Sequence, residues 1–145
     1  MEQRLSLVTL GVPDLDAARR FYLDGLGWTP VLDVAGAVTF IQVAPGVLLS
    51  LFGAAELAAD VGDGRPPMTA PGNVTLAHNV SSPEEVDAVL AAAERAGATI
   101  VKPAQRAAWG GYHGYFADPA GTLWEVAHNP GLAVDPDGTV RFAEA

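Results

Sequence analysis

GGYHGYFADPAGTLWEVAHNP, residues 110–130, reads as two strands around a tight turn. Tyr112–Ala117 alternates aromatic and small residues, and Asp118-Pro119-Ala120-Gly121 supplies turn chemistry, with proline suited to the second position and glycine to the end. Thr122–Ala127 is a β-rich run with a single charge, Glu125, between Trp124 and Val126. A carboxylate in mid-strand is costly against a core. Glu125 therefore needs a partner or lines a cavity.

Working outward, the same order of elements occurs twice. Leu5–Val12 is an apolar strand closed by Pro13, and Asp14 is a suitable N-cap for a helix running to about Gly25, with Leu15, Ala18, Phe21 or Tyr22, and Leu26 on one stripe. Trp28–Val34 is a short strand that Pro30 confines to an edge. Ala37–Val43 and Val47–Phe52 form a hairpin around Ala44-Pro45-Gly46. In the second half, Asn73–Val80 is a strand and Ser82-Pro83-Glu84-Glu85 starts a helix with a capping box and proline at its first position. Val86, Val89, Leu90 and Ala93 give its apolar stripe, and Gly97 stops it. Thr99–Val101 is a short strand, Lys102–Ala108 a loop, and the opening hairpin follows.

Each half thus reads βαβββ. Leu7 corresponds to Thr75 and Ser50 to Glu125, with extra residues gained in the Lys102–Ala108 region. The expected architecture is α+β: two tandem βαβββ modules whose curved sheets surround a shared cleft. The modules span residues 1–56 and 73–130. Residues 57–72, rich in glycine, proline and aspartate, are the linker, and 131–145 a tail with a possible hairpin around Asp135-Pro136-Asp137-Gly138.

Composition narrows the partners. Half the residues are apolar and 17% are charged, enough for a core. The formal net charge is −9 and the eight Lys and Arg do not cluster, which disfavours nucleic acid and anionic membranes. No apolar run approaches the roughly 20 residues of a membrane span, and no signal-peptide pattern is expected at the N-terminus. There are no cysteines, so disulfides, thiolate metal sites and thiol nucleophiles are excluded, as suits the cytoplasm. A small molecule or a second copy of the chain, as a homodimer, remains.

Val8-Thr9-Leu10-Gly11-Val12-Pro13-Asp14-Leu15, Phe21-Tyr22 with Leu26-Gly27, and Tyr115-Phe116-Ala117-Asp118-Pro119-Ala120-Gly121 followed by Leu123-Trp124-Glu125 resemble the vicinal oxygen chelate superfamily over about residues 5–128. This is the glyoxalase, bleomycin-resistance and extradiol-dioxygenase group. The resemblance implies a divalent-cation site built from the first and last strands of each module. Glu125 matches the last-strand position of the second module. The other three positions fall on Leu7, Ser50 and Thr75, of which leucine cannot ligate and the other two are poor ligands. A closed site normally needs three or more protein ligands. The sequence therefore points to no cofactor, with a divalent metal left open.

The resemblance turns Tyr115 toward the cavity. Alternation then adds His113 and, if the strand extends back, Trp109 on that face, with Leu123 and Ala127 flanking Glu125. The candidate binding set is Thr9, Phe40, Ser50, Phe52, Thr75, Asn79, Trp109, His113, Tyr115 and Glu125. Trp109 and Tyr115 equally suit core packing or a dimer contact. His78 and His128 fall three residues from a cleft position and so face away. Two functions fit. One is a metal-free, bleomycin-resistance-like binding protein for a small aromatic or cationic molecule. The other is a glyoxalase-like enzyme, of proton-transfer, lyase or dioxygenase type, in which Glu125 orients His113 as general base and Tyr115 donates to an oxyanion, or a recruited divalent metal does the work.

Overall fold

Asp14 begins the first helix as its place after Pro13 predicts: its side chain accepts a hydrogen bond from the Ala17 amide at 2.9 Å. The structure is a computed structural model that describes residues 1, 3, 5–62, 64, 66–67, 70, 72 and 74–143. The first module comprises β1 (Leu7–Val12), α1 (Leu15–Arg19), β2 (Pro30–Val34), β3 (Val38–Ala44) and β4 (Val47–Gly53). Helix α1 runs on as a π-helical segment, Arg20–Gly25. The second comprises β5 (Leu76–Asn79), α3 (Pro83–Ala96), β6 (Thr99–Arg106), β7 (Tyr112–Ala117) and β8 (Leu123–His128). Between them lies α2 (Ala54–Val61), and a hairpin of β9 (Leu132–Val134) and β10 (Val140–Phe142) follows.

The fold is α+β with two four-stranded mixed sheets, ordered β1-β4-β3-β2 and β5-β8-β7-β6. In each, the first strand lies parallel to the last, and the rest is antiparallel. Pro30 opens β2 at the sheet edge, where its missing amide costs no ladder bond. In α3, Ser82 accepts from the Glu85 amide at 3.3 Å, and the Glu85 carboxylate reaches back to the Ser81 amide at 2.8 Å. This is the expected capping exchange, displaced by one residue at its return bond.

Two readings are corrected. The helical turn expected at Ala54–Ala59 is a full helix to Val61, stopped by Gly62 in the left-handed region at φ 69°. It lies over the first sheet: a Cβ on Gly11 would come 3.0 Å from Leu57. Lys102–Ala108 is not simply a loop. Strand β6 continues to Arg106 along the sheet edge, with register irregularities on either side of Lys102. An edge strand tolerates both Pro103 and such irregularities, because its outer amides need no partner. The expected linker and the start of the strand predicted at Asn73 include positions 63, 65, 68, 69, 71 and 73, which lie outside the described residues.

The modules meet through the faces that carry their helices. Leu49 and Leu51 of β4, Phe21 and Tyr22 of the π-helical segment, Val86 and Leu90 of α3, and Trp124 and Val126 of β8 belong to one buried cluster. The sequence left Phe21 and Tyr22 as alternatives for the buried stripe. Both are buried, Phe21 packing on Phe116 with ring centroids 6.2 Å apart and Tyr22 on Trp124 at 6.3 Å. Tyr22 donates to Asp118 Oδ2 at 2.6 Å and accepts from Trp124 Nε1 at 3.0 Å. Asp118 Oδ1 takes the amides of Ala120 and Thr122, at 2.9 and 2.8 Å. The Asp-Pro turn therefore fastens one module to the other.

Candidate functional site

Side chains alternate along a strand, so the core contacts fix where the others point. Trp124 and Val126 face the first module, and Glu125 between them faces away from it. Leu49 and Leu51 face the second module, and Ser50 faces away. The candidate residues therefore form two groups on opposite outer faces of the chain. Thr9, Phe40, Ser50 and Phe52 belong to the first sheet and His113, Tyr115 and Glu125 to the second, whereas β7 does not extend back to Trp109, which stands on the turn between β6 and β7. Within one chain these groups do not close a common cleft, because the helix-bearing faces occupy the space between the sheets. Asn79 sits on edge strand β5, and Thr75 is exposed just before it.

The second group is assembled by three adjacent strands. Tyr115 pairs with Glu125 across β7 and β8, and with Lys102 across β6 and β7. His113 is 8% exposed, and its Nδ1 lies 2.7 Å from Glu125 Oε1. Its Nε2 lies 2.9 Å from Lys102 Nζ. An ammonium only donates, so with Lys102 charged Nε2 accepts and Nδ1–H donates to the carboxylate. The result is a continuous chain Lys102–His113–Glu125 with the imidazole neutral between opposite charges. Tyr115 stands beside it, its ring centroid 5.9 Å from Lys102 Nζ and 5.7 Å from the His113 ring. Burial, then the Glu125 charge and hydrogen bond, raises the Tyr115 phenol above its ordinary value of 10.0, so it is a hydrogen-bond donor near neutrality.

Trp109 meets the His113 ring edge-on at 5.4 Å and is half exposed. Gly111 makes this position possible: a Cβ there would come 1.7 Å from the indole. The face thus offers two aromatic surfaces and a charged polar chain between them.

The Glu125–His113 pair was legible in the sequence; Lys102 was not. Its placement depends on β6 continuing past Val101. One compositional signal could have found it. Lys102 is the only lysine in the 145 residues, against seven arginines. It also alters the expected chemistry. His113 was read as a general base oriented by Glu125; Glu125 does hold Nδ1, and the other ring nitrogen faces Lys102.

On the other group, Ser50 is 2% exposed and donates to Thr9 Oγ1 at 3.0 Å, so this hydroxyl is closed off within the chain. The residues present suit a divalent cation poorly: Leu7 offers no donor, Ser50 is engaged with Thr9, Ser50 and Glu125 face apart, and Glu125 is joined through His113 to an ammonium. Among the described residues no group of three or more His, Asp or Glu side chains converges.

His78 pairs in register with Val126, on the helix-bearing face, and borders a cavity of about 1030 Å³ between the modules. Trp28, Ile41, Leu49 and Trp124 also line it, and Val134–Val140 contribute to one wall. None of Glu125, His113 or Tyr115 reaches it. Among the described residues no helix is long and apolar enough to cross a membrane.

The model of the Glyoxalase/Bleomycin resistance protein/Dioxygenase superfamily matches residues 4–126. A glyoxalase-related enzyme from Fulvimarina pelagi is 38% identical, covering 99% of this chain and 100% of its own, with a TM-score of 0.89. A lactoylglutathione lyase from Agrobacterium tumefaciens is 29% identical over 88% of this chain and 94% of its own, with a TM-score of 0.67. A glyoxalase/bleomycin resistance protein/dioxygenase from Nocardioides is 27% identical over 90% and 87%, with a TM-score of 0.71. No curated protein matches the chain.

Proposed function

The chain belongs to the glyoxalase/bleomycin resistance protein/dioxygenase superfamily, and from that premise we propose that it binds a small aromatic carbonyl compound on the β6–β7–β8 face without the family's metal. The observation that carries this reading is the Lys102–His113–Glu125 chain flanked by the rings of Trp109 and Tyr115. The rings supply stacking area, and Lys102 and Tyr115 supply donors to a carbonyl or carboxylate oxygen. Lys102 makes a cationic ligand less suitable than the net charge suggests. A thermal-shift panel of aromatic aldehydes, ketones and carboxylates tests the reading: stabilisation by ring-bearing carbonyls, lost in Trp109→Ala, supports it, and stabilisation by aromatic cations alone overturns it. Elemental analysis of the purified protein tests the metal. A stoichiometric divalent ion lost in Glu125→Ala would sink the metal-free part.

Catalysis is the second reading, favoured by the 2.7 Å Glu125–His113 pair and by relatives described as a glyoxalase-related enzyme and a lactoylglutathione lyase. Proton transfer or isomerisation of a carbonyl compound is the reaction these groups suit. His113 would act once Lys102 releases its lone pair, and Tyr115 would donate to the oxyanion. Turnover abolished in His113→Ala with an unchanged far-UV spectrum supports it.

A homodimer completes the proposal. The outer faces of the two sheets point apart, and Leu7 and Val101 add exposed apolar surface at 40% and 55%. A second copy laying its first sheet over the Glu125 face would close the cleft that one chain leaves open. Such a protein works in the cytoplasm, where its lack of cysteine is no handicap.

A further inference from the structure

We propose that Lys102 is an amine nucleophile that captures the carbonyl carbon of the ligand as an imine, with His113 and Glu125 as its base. This rests on the reading of the β6–β7–β8 face as a site for an aromatic carbonyl compound. Three observations converge on it. Lys102 Nζ is 2.9 Å from His113 Nε2, along the line a proton would take. The opposite ring nitrogen is held by Glu125 at 2.7 Å, an arrangement that orients the imidazole and stabilises it once protonated. The chain uses arginine at every other Lys/Arg position. Arginine serves as a cation, but its guanidinium is not deprotonated in proteins and cannot act as an amine.

The step balances without any cofactor. The Lys102 ammonium gives one proton to His113 Nε2, and the neutral amine attacks the carbonyl carbon. The carbonyl π bond opens toward oxygen, which takes a proton from Tyr115; the nitrogen, now carrying one proton too many, returns that proton to the phenolate. His113 then delivers its proton to the carbinolamine hydroxyl, the C–O bond breaks, and water leaves with the protonated imine remaining on Lys102. Ammonium and carbonyl enter, protonated imine and water result, and His113 and Tyr115 end as they began. Trp109, against His113 and half exposed, offers its face to the ring of an aromatic aldehyde.

The full chain treated with benzaldehyde and sodium cyanoborohydride near neutral pH tests this, because reduction fixes the imine as a stable secondary amine. Peptide mass mapping has only two amines to distinguish, Lys102 and the N-terminus. The N-terminal amine is the stronger competitor at that pH, since an unassisted lysine, with an ordinary value of about 10.4, is almost wholly protonated. The expected result is Lys102 labelled at least as fast as the N-terminus. No internal label should appear in Lys102→Arg, and labelling should be roughly a hundredfold slower in His113→Gln with an unchanged far-UV spectrum. Labelling at the N-terminus alone, or equal Lys102 rates in His113→Gln and the unaltered chain, overturns the proposal. Thermal shift with benzaldehyde without reductant separates the two levels. Stabilisation of Lys102→Arg with no Lys102 label in the unaltered chain leaves the binding site standing and removes the imine; no stabilisation of either removes both.

Discussion

Asp118 accepts two turn amides with one carboxylate oxygen and the Tyr22 hydroxyl with the other, while 4% exposed. The motif residue that looks like turn chemistry in the sequence therefore also ties the modules together. Asp118→Ala leaves two turn amides and the Tyr22 hydroxyl without this acceptor, and we expect a loss of about 2–5 kcal/mol by denaturant titration. Burial first, then the Asp118 charge and hydrogen bond, holds the Tyr22 proton well above the ordinary tyrosine value of 10.0. A raised folded value gives stability that is full below 10.0 and falls as pH rises further, since the unfolded chain then releases a proton that the folded chain keeps. Tyr22→Phe should cost about 1–3 kcal/mol at neutral pH and make the alkaline decline shallower; an equally steep decline would show that other groups cause it. Gly111→Ala should leave the fold intact but push the Trp109 indole off His113, read as altered Trp109 fluorescence and weaker ligand stabilisation. An unchanged spectrum would mean that the ring does not need that space.

At the scale of elements, β7, the Asp-Pro turn and β8 were readable because period-two alternation and turn residues are local signals. Strand β6 was read only to Val101, whereas it continues to Arg106 at the sheet edge, where Pro103 is tolerated. That error removed Lys102 from the candidate site. The same strands carry a close contact that is easy to test. A Cβ on Gly114 would lie 2.7 Å from Leu90 Cδ1 of α3 and 2.8 Å from the Lys102 carbonyl oxygen. Backbone on one side leaves little room to yield, so Gly114→Ala should cost about 1–3 kcal/mol, seen as a lower Tm. It should also disturb Lys102 labelling, because β6 is what must move.

For the whole molecule, one buried cluster draws on both modules, so the chain is expected to unfold in a single transition with tryptophan fluorescence and far-UV signals coincident. Two separate transitions would show that the modules are independent. A dimer mass in solution by light scattering is expected; a monomer at high concentration would leave the Glu125 face open to solvent and count against the closed cleft. By itself the sequence determined the βαβββ repeat, the α+β class, and the alternation that puts His113 and Tyr115 on one face of their strand, because these follow from local periodicity and turn chemistry; that this face is also the one carrying Glu125 came from the family resemblance. Only the tertiary structure decided that the modules meet through their helices, so that Ser50 and Glu125 face apart, and that Lys102 lies against His113. Those facts depend on which apolar faces bury each other and on how an edge strand pairs, and neither is written in the spacing of residues along the chain.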